Sequence, residues 1–169
     1  MKPSRNALRF RPLAALAITG AAAISGASAL DLDGNSYPDV WEARYHAASL
    51  APAVDTDGDG QSNAAEAIAG TDPRDATSVF TSSIDLNNRT ITFTTQPGKK
   101  YQLLSATSPD GTWEPSEDPV IATSDSHTLP LPLSGSIGFF RVSVSDHDSD
   151  GHGVGDWSER QLSGFDPSS

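Results

Sequence analysis

The stretch Asp55–Glu66, DTDGDGQSNAAE, places oxygen-bearing side chains at positions 1, 3, 5, 9 and 12 of a twelve-residue frame. Asp55, Asp57 and Asp59 offer carboxylates, Gln61 at position 7 its backbone carbonyl, Asn63 a direct or water-mediated contact, and Glu66 two oxygens at once. Gly60 holds position 6, where the chain must turn sharply. A hard dication takes about six to eight oxygens, and this is the rhythm with which a loop wraps Ca2+. Two further segments keep the frame. DLDGNSYPDVWE supplies Asp31, Asp33, Asn35, Tyr37, Asp39 and Glu42, and DSDGHGVGDWSE supplies Asp148, Asp150, His152, Val154, Asp156 and Glu159. Solvated acidic turns whose aspartates cap short helices explain one such match comfortably and three badly.

The copies depart from the frame in different ways. In the first, Asn35 remains a fair oxygen ligand, Ser36 at the turn costs up to about 1 kcal/mol against glycine, and Pro38 stiffens the loop. In the third, His152 falls at position 5, where an imidazole nitrogen is a poor partner for calcium. A register starting at Asp146 leaves Trp157 at position 12, so the Asp148 register, which keeps Asp156 and Glu159, is preferred. His147 and His152 among these aspartates could instead hold zinc or nickel. Two exposed loop histidines are the simpler reading.

Residues 1–29 have the pattern of a secretory signal peptide: Lys2, Arg5, Arg9 and Arg11, an apolar run from Leu13 to Ile24, then Ala27-Ser28-Ala29 as a small-residue cleavage site. The run is short for an uncleaved span of about 20 residues. Secretion or display at the cell surface is expected, with the periplasm as an alternative and no membrane insertion after cleavage. Removing the leader takes away four cations and no acid, leaving seven Lys/Arg against 22 Asp/Glu. A surface that acidic repels nucleic acid and anionic lipid and attracts cations. No cysteine is present to staple the chain, so bound metal is the natural substitute.

The texture divides the remainder into residues 30–78 with two loop–helix units, 79–145 as a small β domain, and 146–169 with the third unit. The first helix is expected over Pro38 to Ser49, with Val40, Trp41 and Tyr45 on one face, and the second over Ser62 to Ala69, stopped by Gly70. In the β region, Asn87-Asn88 as a two-residue turn sets Ile84 opposite Ile91 and puts Phe80, Ile84, Ile91 and Phe93 on one core-facing side. Further strands are expected at 100–105, 120–123, 127–131 and 138–145, the last with Phe140, Val142 and Val144 inward. The fold class is therefore α+β, with calcium loop–helix repeats at both ends of a small antiparallel β-sandwich.

Asp55 to Pro73 resembles the bacterial thrombospondin type 3 repeat: an Asp-rich loop, a glutamate near its end, a short helix, then Gly70-Thr71-Asp72-Pro73. The third copy keeps Glu159, Gly164, Asp166 and Pro167 but has Phe165 for the threonine, and the first lacks this ending. The resemblance implies calcium-binding loops in a secreted or surface protein, as a structural spacer rather than a catalyst. Tyr101, Leu103, Trp113 and Phe139–Val142 resemble the fibronectin- or immunoglobulin-like β modules found beside such repeats.

No nucleophile or phosphate-loop motif is present, and Glu117-Asp118 reads as a solvated turn, so no enzyme activity is expected. Trp113 and Tyr101 could line a face for extracellular polysaccharide, although core roles are simpler. The paired loops also suggest a dockerin-like binder of a surface protein, against which stands the short second helix. The last repeat normally leads into something else, which suggests the front of a larger secreted protein.

Overall fold

Alternation decides the β region: every second side chain of Thr90–Thr94 is buried, and Lys99, Tyr101 and Leu103 continue the pattern on the next strand. The computed structural model describes residues 30–132, 138–162 and 167. The signal-peptide expectation, and Gly164, Phe165 and Asp166 of the third repeat, lie outside the described residues. The fold is mixed α+β, as expected. In chain order it runs α1 (Asp39–Tyr45), α2 (Asn63–Ala69), β1 (Ser82–Asp85), β2 (Thr90–Thr94), β3 (Lys99–Ala106), β4 (Glu114–Pro115), β5 (Val120–Ile121), β6 (Ser126–Pro130), β7 (Phe139–Asp146) and α3 (Asp156–Gln161).

One antiparallel sheet has the order β1-β2-β6. In the other, β3 is central, with β7 along one edge and the short β5 and β4 along the opposite one. A single apolar cluster joins the sheets: Phe80, Ile91, Phe93 and Leu131 meet Tyr101, Leu103, Ala122 and Val142, with Phe140 and Val144 packed at its margin. Tyr101 is a core residue, its ring stacked on Phe80 and its hydroxyl accepting from the Gln96 N–H at 2.7 Å. Trp113 is half-buried, with the Arg141 guanidinium 4.4 Å from its ring centroid.

Three expectations are corrected. Ile84 does pair with Ile91, but it is exposed and outside the core cluster, because β1 is the edge strand of its sheet. The turn before β2 is also wider, since the Asp85 carboxylate accepts from the N–H groups of Asn87 and Asn88 and Arg89 takes φ 54°. Likewise α1 ends at Tyr45 instead of Ser49. His46 is left-handed at φ 52°, and Arg74 donates to the carbonyls of Tyr45 and His46 at 3.3 and 3.2 Å, capping the helix end while Ala47 turns into the core.

The helices share a second cluster, of Tyr37, Trp41, Ala47, Ala67 and Trp157. Its last member comes from α3, so the terminal unit folds back onto the first two. Trp41 Nε1 donates to the Thr71 carbonyl at 2.7 Å, which ties α1 to the turn after α2. Lys99, fully buried at the start of β3, places Nζ 2.7 Å from Asp146 Oδ1 and 4.9 Å from the Trp157 ring centroid. A buried ammonium needs such partners, and these bind β3 to the entry of the third loop. Gly98, at φ 91°, lies so close beneath α3 that a β-carbon there would sit 2.5 Å from the Trp157 nitrogen. Gly98→Ala is therefore expected to destabilise by about 2–4 kcal/mol, from overpacking plus left-handed strain. The midpoint of urea unfolding measures it, with the Trp157 near-ultraviolet signal reporting whether the closure is retained.

Candidate metal centres

The three Asp-rich loops repeat one hydrogen-bond lattice. The position-1 carboxylate accepts from the backbone N–H groups of positions 4 and 6: Asp31 from Gly34 and Ser36, Asp55 from Gly58 and Gly60, Asp148 from Gly151 and Gly153, all at 2.7–3.0 Å. These donors are all left-handed, which glycine tolerates and Ser36, at φ 76°, does at a cost. The position-3 carboxylates of Asp33, Asp57 and Asp150 accept the next-but-one N–H at 3.2 Å. At position 5, Asn35 Oδ1, Asp59 Oδ1 and His152 Nδ1 each accept from the position-7 N–H, that of Tyr37, Gln61 or Val154.

Position 9 follows a pattern that ligand spacing alone does not reveal. Asp39 accepts from the Leu32 N–H, Asp156 from the N–H and Oγ of Ser149, and Asn63 Oδ1 from Thr56 Oγ1 at 2.8 Å. Each braces the loop across its base to position 2, and Asn63 is held further by donating to the Ala51 carbonyl. Thr56 and Ser149 were the available signal, two hydroxyl residues at one repeat position. Asp39 also keeps an oxygen within 4.8 Å of Asp31 and Asp33.

The same closeness holds for Asp55, Asp57 and Asp59, and for Asp148, Asp150 and His152. His147 belongs to none of these clusters among the described residues. The position-12 glutamates stand in the first turn of each helix, outside these three close clusters, and Glu42, Glu66 and Glu159 are all buried. Both ends of α2 are closed, which holds Glu66 in place. Ser62 caps the helix by accepting from the Ala65 N–H, and Gly70 ends it at φ 79°.

Polar satisfaction separates the three loops. In the second, Asp57 Oδ2, Asp59 Oδ2, Glu66 Oε2 and Gln61 Oε1 are buried with no hydrogen-bond partner. Glu66 Oε1 accepts only from Thr71 Oγ1, at 3.3 Å. Burial, and then the charges of Asp57 and Asp59, push the Glu66 carboxyl up to about 8. Inward oxygens from positions 3, 5 and 12, carrying like charge and lacking donors, fit a hard cation. Asp57, Asp59 and Glu66 would hold calcium there, and the ion would supply the opposing charge.

In the first loop the atom corresponding to Asp59 Oδ2 is Asn35 Nδ2, which donates to Asp33 Oδ2 at 3.1 Å and to Glu42 Oε1 at 2.7 Å. An amide thus links the two acids internally. In the third, both Glu159 oxygens are buried without a hydrogen bond. His152 Nε2 approaches Oε1 at 2.8 Å without hydrogen-bond geometry. The half-buried Asp148 carboxyl is held low by the Gly153 and Gly151 N–H groups and by His152.

A family described as Bacterial TSP3 repeat matches residues 55–76, covering the second loop, α2 and the turn that follows. No curated protein and no solved structure matches the chain. This segment is thus a bacterial TSP3 repeat, a unit that binds calcium through Asp-rich loops, and a small antiparallel β region without an assigned family follows it. Such a repeat suggests an extracellular protein, and no helix among the described residues is long and apolar enough to cross a membrane.

Two outcomes are expected. Because the folded Glu66 carboxyl is raised from 4.5 to about 8, the ion-free protein binds more protons than the unfolded chain between those values and loses stability as pH rises through them. Calcium needs the deprotonated form, so apparent affinity should climb with pH over the same window, by up to about tenfold per unit for one displaced proton. Calorimetric titration at pH 5.5, 6.5 and 7.5 reads the slope. Ser36→Gly should stabilise by about 0.5–1 kcal/mol in chelator, read from the thermal midpoint.

Proposed function

We propose that the chain is an exported, calcium-ordered structural module whose loop–helix units act as metal staples, in an adhesive or spacer role outside the cell. One observation carries this: the fully buried Glu66 beside Asp57 and Asp59, with inward oxygens that no protein donor serves. A cation joining those oxygens orders the start of α2. Order there spreads, because Ala67 of α2 lies in the cluster with Trp41 of α1 and Trp157 of α3. The reading assigns the module no catalysis. Its macromolecular partner would be an extracellular polysaccharide or a surface protein, met elsewhere than on a Trp113–Tyr101 platform, since Tyr101 is in the core.

Extracellular calcium modules bind at about 10⁻⁴–10⁻³ M, so millimolar calcium adds roughly 0.5–1.5 kcal/mol per filled site. Calcium at 5 mM should raise the thermal midpoint by several degrees over chelator. Glu66→Gln separates charge from shape: near neutral pH it should stabilise the ion-free protein, by removing a carboxyl that must take up a proton to be buried beside Asp57 and Asp59, while abolishing most of the calcium response. Asp55→Ala should lose both loop order and response. Wild-type titration heat no larger than that of Glu66→Gln would sink the proposal.

A further inference from the structure

We propose that the third loop is a site for a borderline transition-metal dication of the zinc class, distinct in selectivity from the oxygen-only second loop. The two loops share the lattice through positions 1, 3, 5 and 7. Against that common frame the donor at position 5 changes from the Asp59 carboxylate to the His152 imidazole. Asp148, Asp150 and His152 each offer a donor atom, all within 4.8 Å of one another.

A second observation points to a ligand. Glu159 is 1 % exposed, both its oxygens lack a hydrogen bond, and Oε1 lies 2.8 Å from His152 Nε2. The buried carboxylate is therefore aimed at the imidazole edge of the cluster and is served by neither a backbone nor a side-chain donor. The first loop shows what a protein-only solution looks like, with the Asn35 amide donating to both Asp33 and Glu42. The third has no such bridge.

The donor set is then up to three carboxylates and one imidazole nitrogen. Calcium accepts nitrogen poorly, whereas zinc and its neighbours take mixed imidazole and carboxylate ligands readily. Among positions 1, 3, 5 and 12 the loop has three carboxylates against four in the second, its remaining acid, Asp156, being engaged by Ser149. This holds whether or not calcium fills the second loop.

The test is titration of the full chain with Zn2+ in 5 mM calcium, by calorimetry, with the ring nitrogens of His152 followed by NMR. One equivalent should bind and shift a His152 ring nitrogen. His152→Asp, which installs the position-5 residue of the second loop, should weaken zinc at least tenfold and add a calcium equivalent. Zinc binding unchanged in His152→Asp, zinc fully displaced by calcium, or no binding above baseline would each overturn the assignment. The last outcome would leave His152 and Glu159 as a simple ion pair. Retention of the Trp157 near-ultraviolet signal verifies that the variant folds.

Discussion

Like charge brought together in a small space is the constraint on which this molecule turns. Each loop gathers its acids by giving the position-1 carboxylate two backbone N–H groups, which bends the chain into a cup and points the following acids inward. The backbone can satisfy only the outer oxygens. What remains inside must be answered by something else, and the three loops differ in it: the Asn35 amide answers in the first, the inward oxygens of the second have no protein donor, and in the third an imidazole comes within 2.8 Å of Glu159 without hydrogen-bonding it. Since each loop runs directly into a helix whose first turn carries the position-12 glutamate, the solution reached in the cup sets the position of that helix.

The aromatic cluster converts those local solutions into a single structure. A seven-residue helix has no independent stability in water. Here α1, α2 and α3 persist because Trp41, Ala67 and Trp157 bury one another, and because Lys99 reaches from the sheet to both Asp146 and the Trp157 ring. The β core beneath is conventional in its physics, with alternating side chains from two sheets meeting around Phe93 and Tyr101.

Much of this was legible in the residues. The twelve-residue frame, the Gly70 stop and the inward set of β7 follow from spacing and from φ requirements that few residues meet. The hairpin register was legible too, since it depends on local pairing, but the burial of Ile84 depends on the place of β1 at the edge of its sheet. The end of α1 was hidden for a similar reason: Arg74, well along the chain, supplies the cap. At the sites, the ligand rhythm identifies which residues gather but not which are already engaged. Asn63 and Asp59 look alike as donors in a sequence, yet Asn63 is held by Thr56 and Ala51 while Asp59 Oδ2 has no partner.

Trp157 closes a cluster begun by Tyr37 and Trp41, so the helical layer has no complete interior until α3 is present. Contacts of that sequence separation form late and tie the order of assembly to the order of synthesis. A chain emerging amino-end first carries its first two acidic loops and a half-finished aromatic patch through the wait. It is an assembly that can be kept open by withholding α3, whose Trp157 completes the helical cluster.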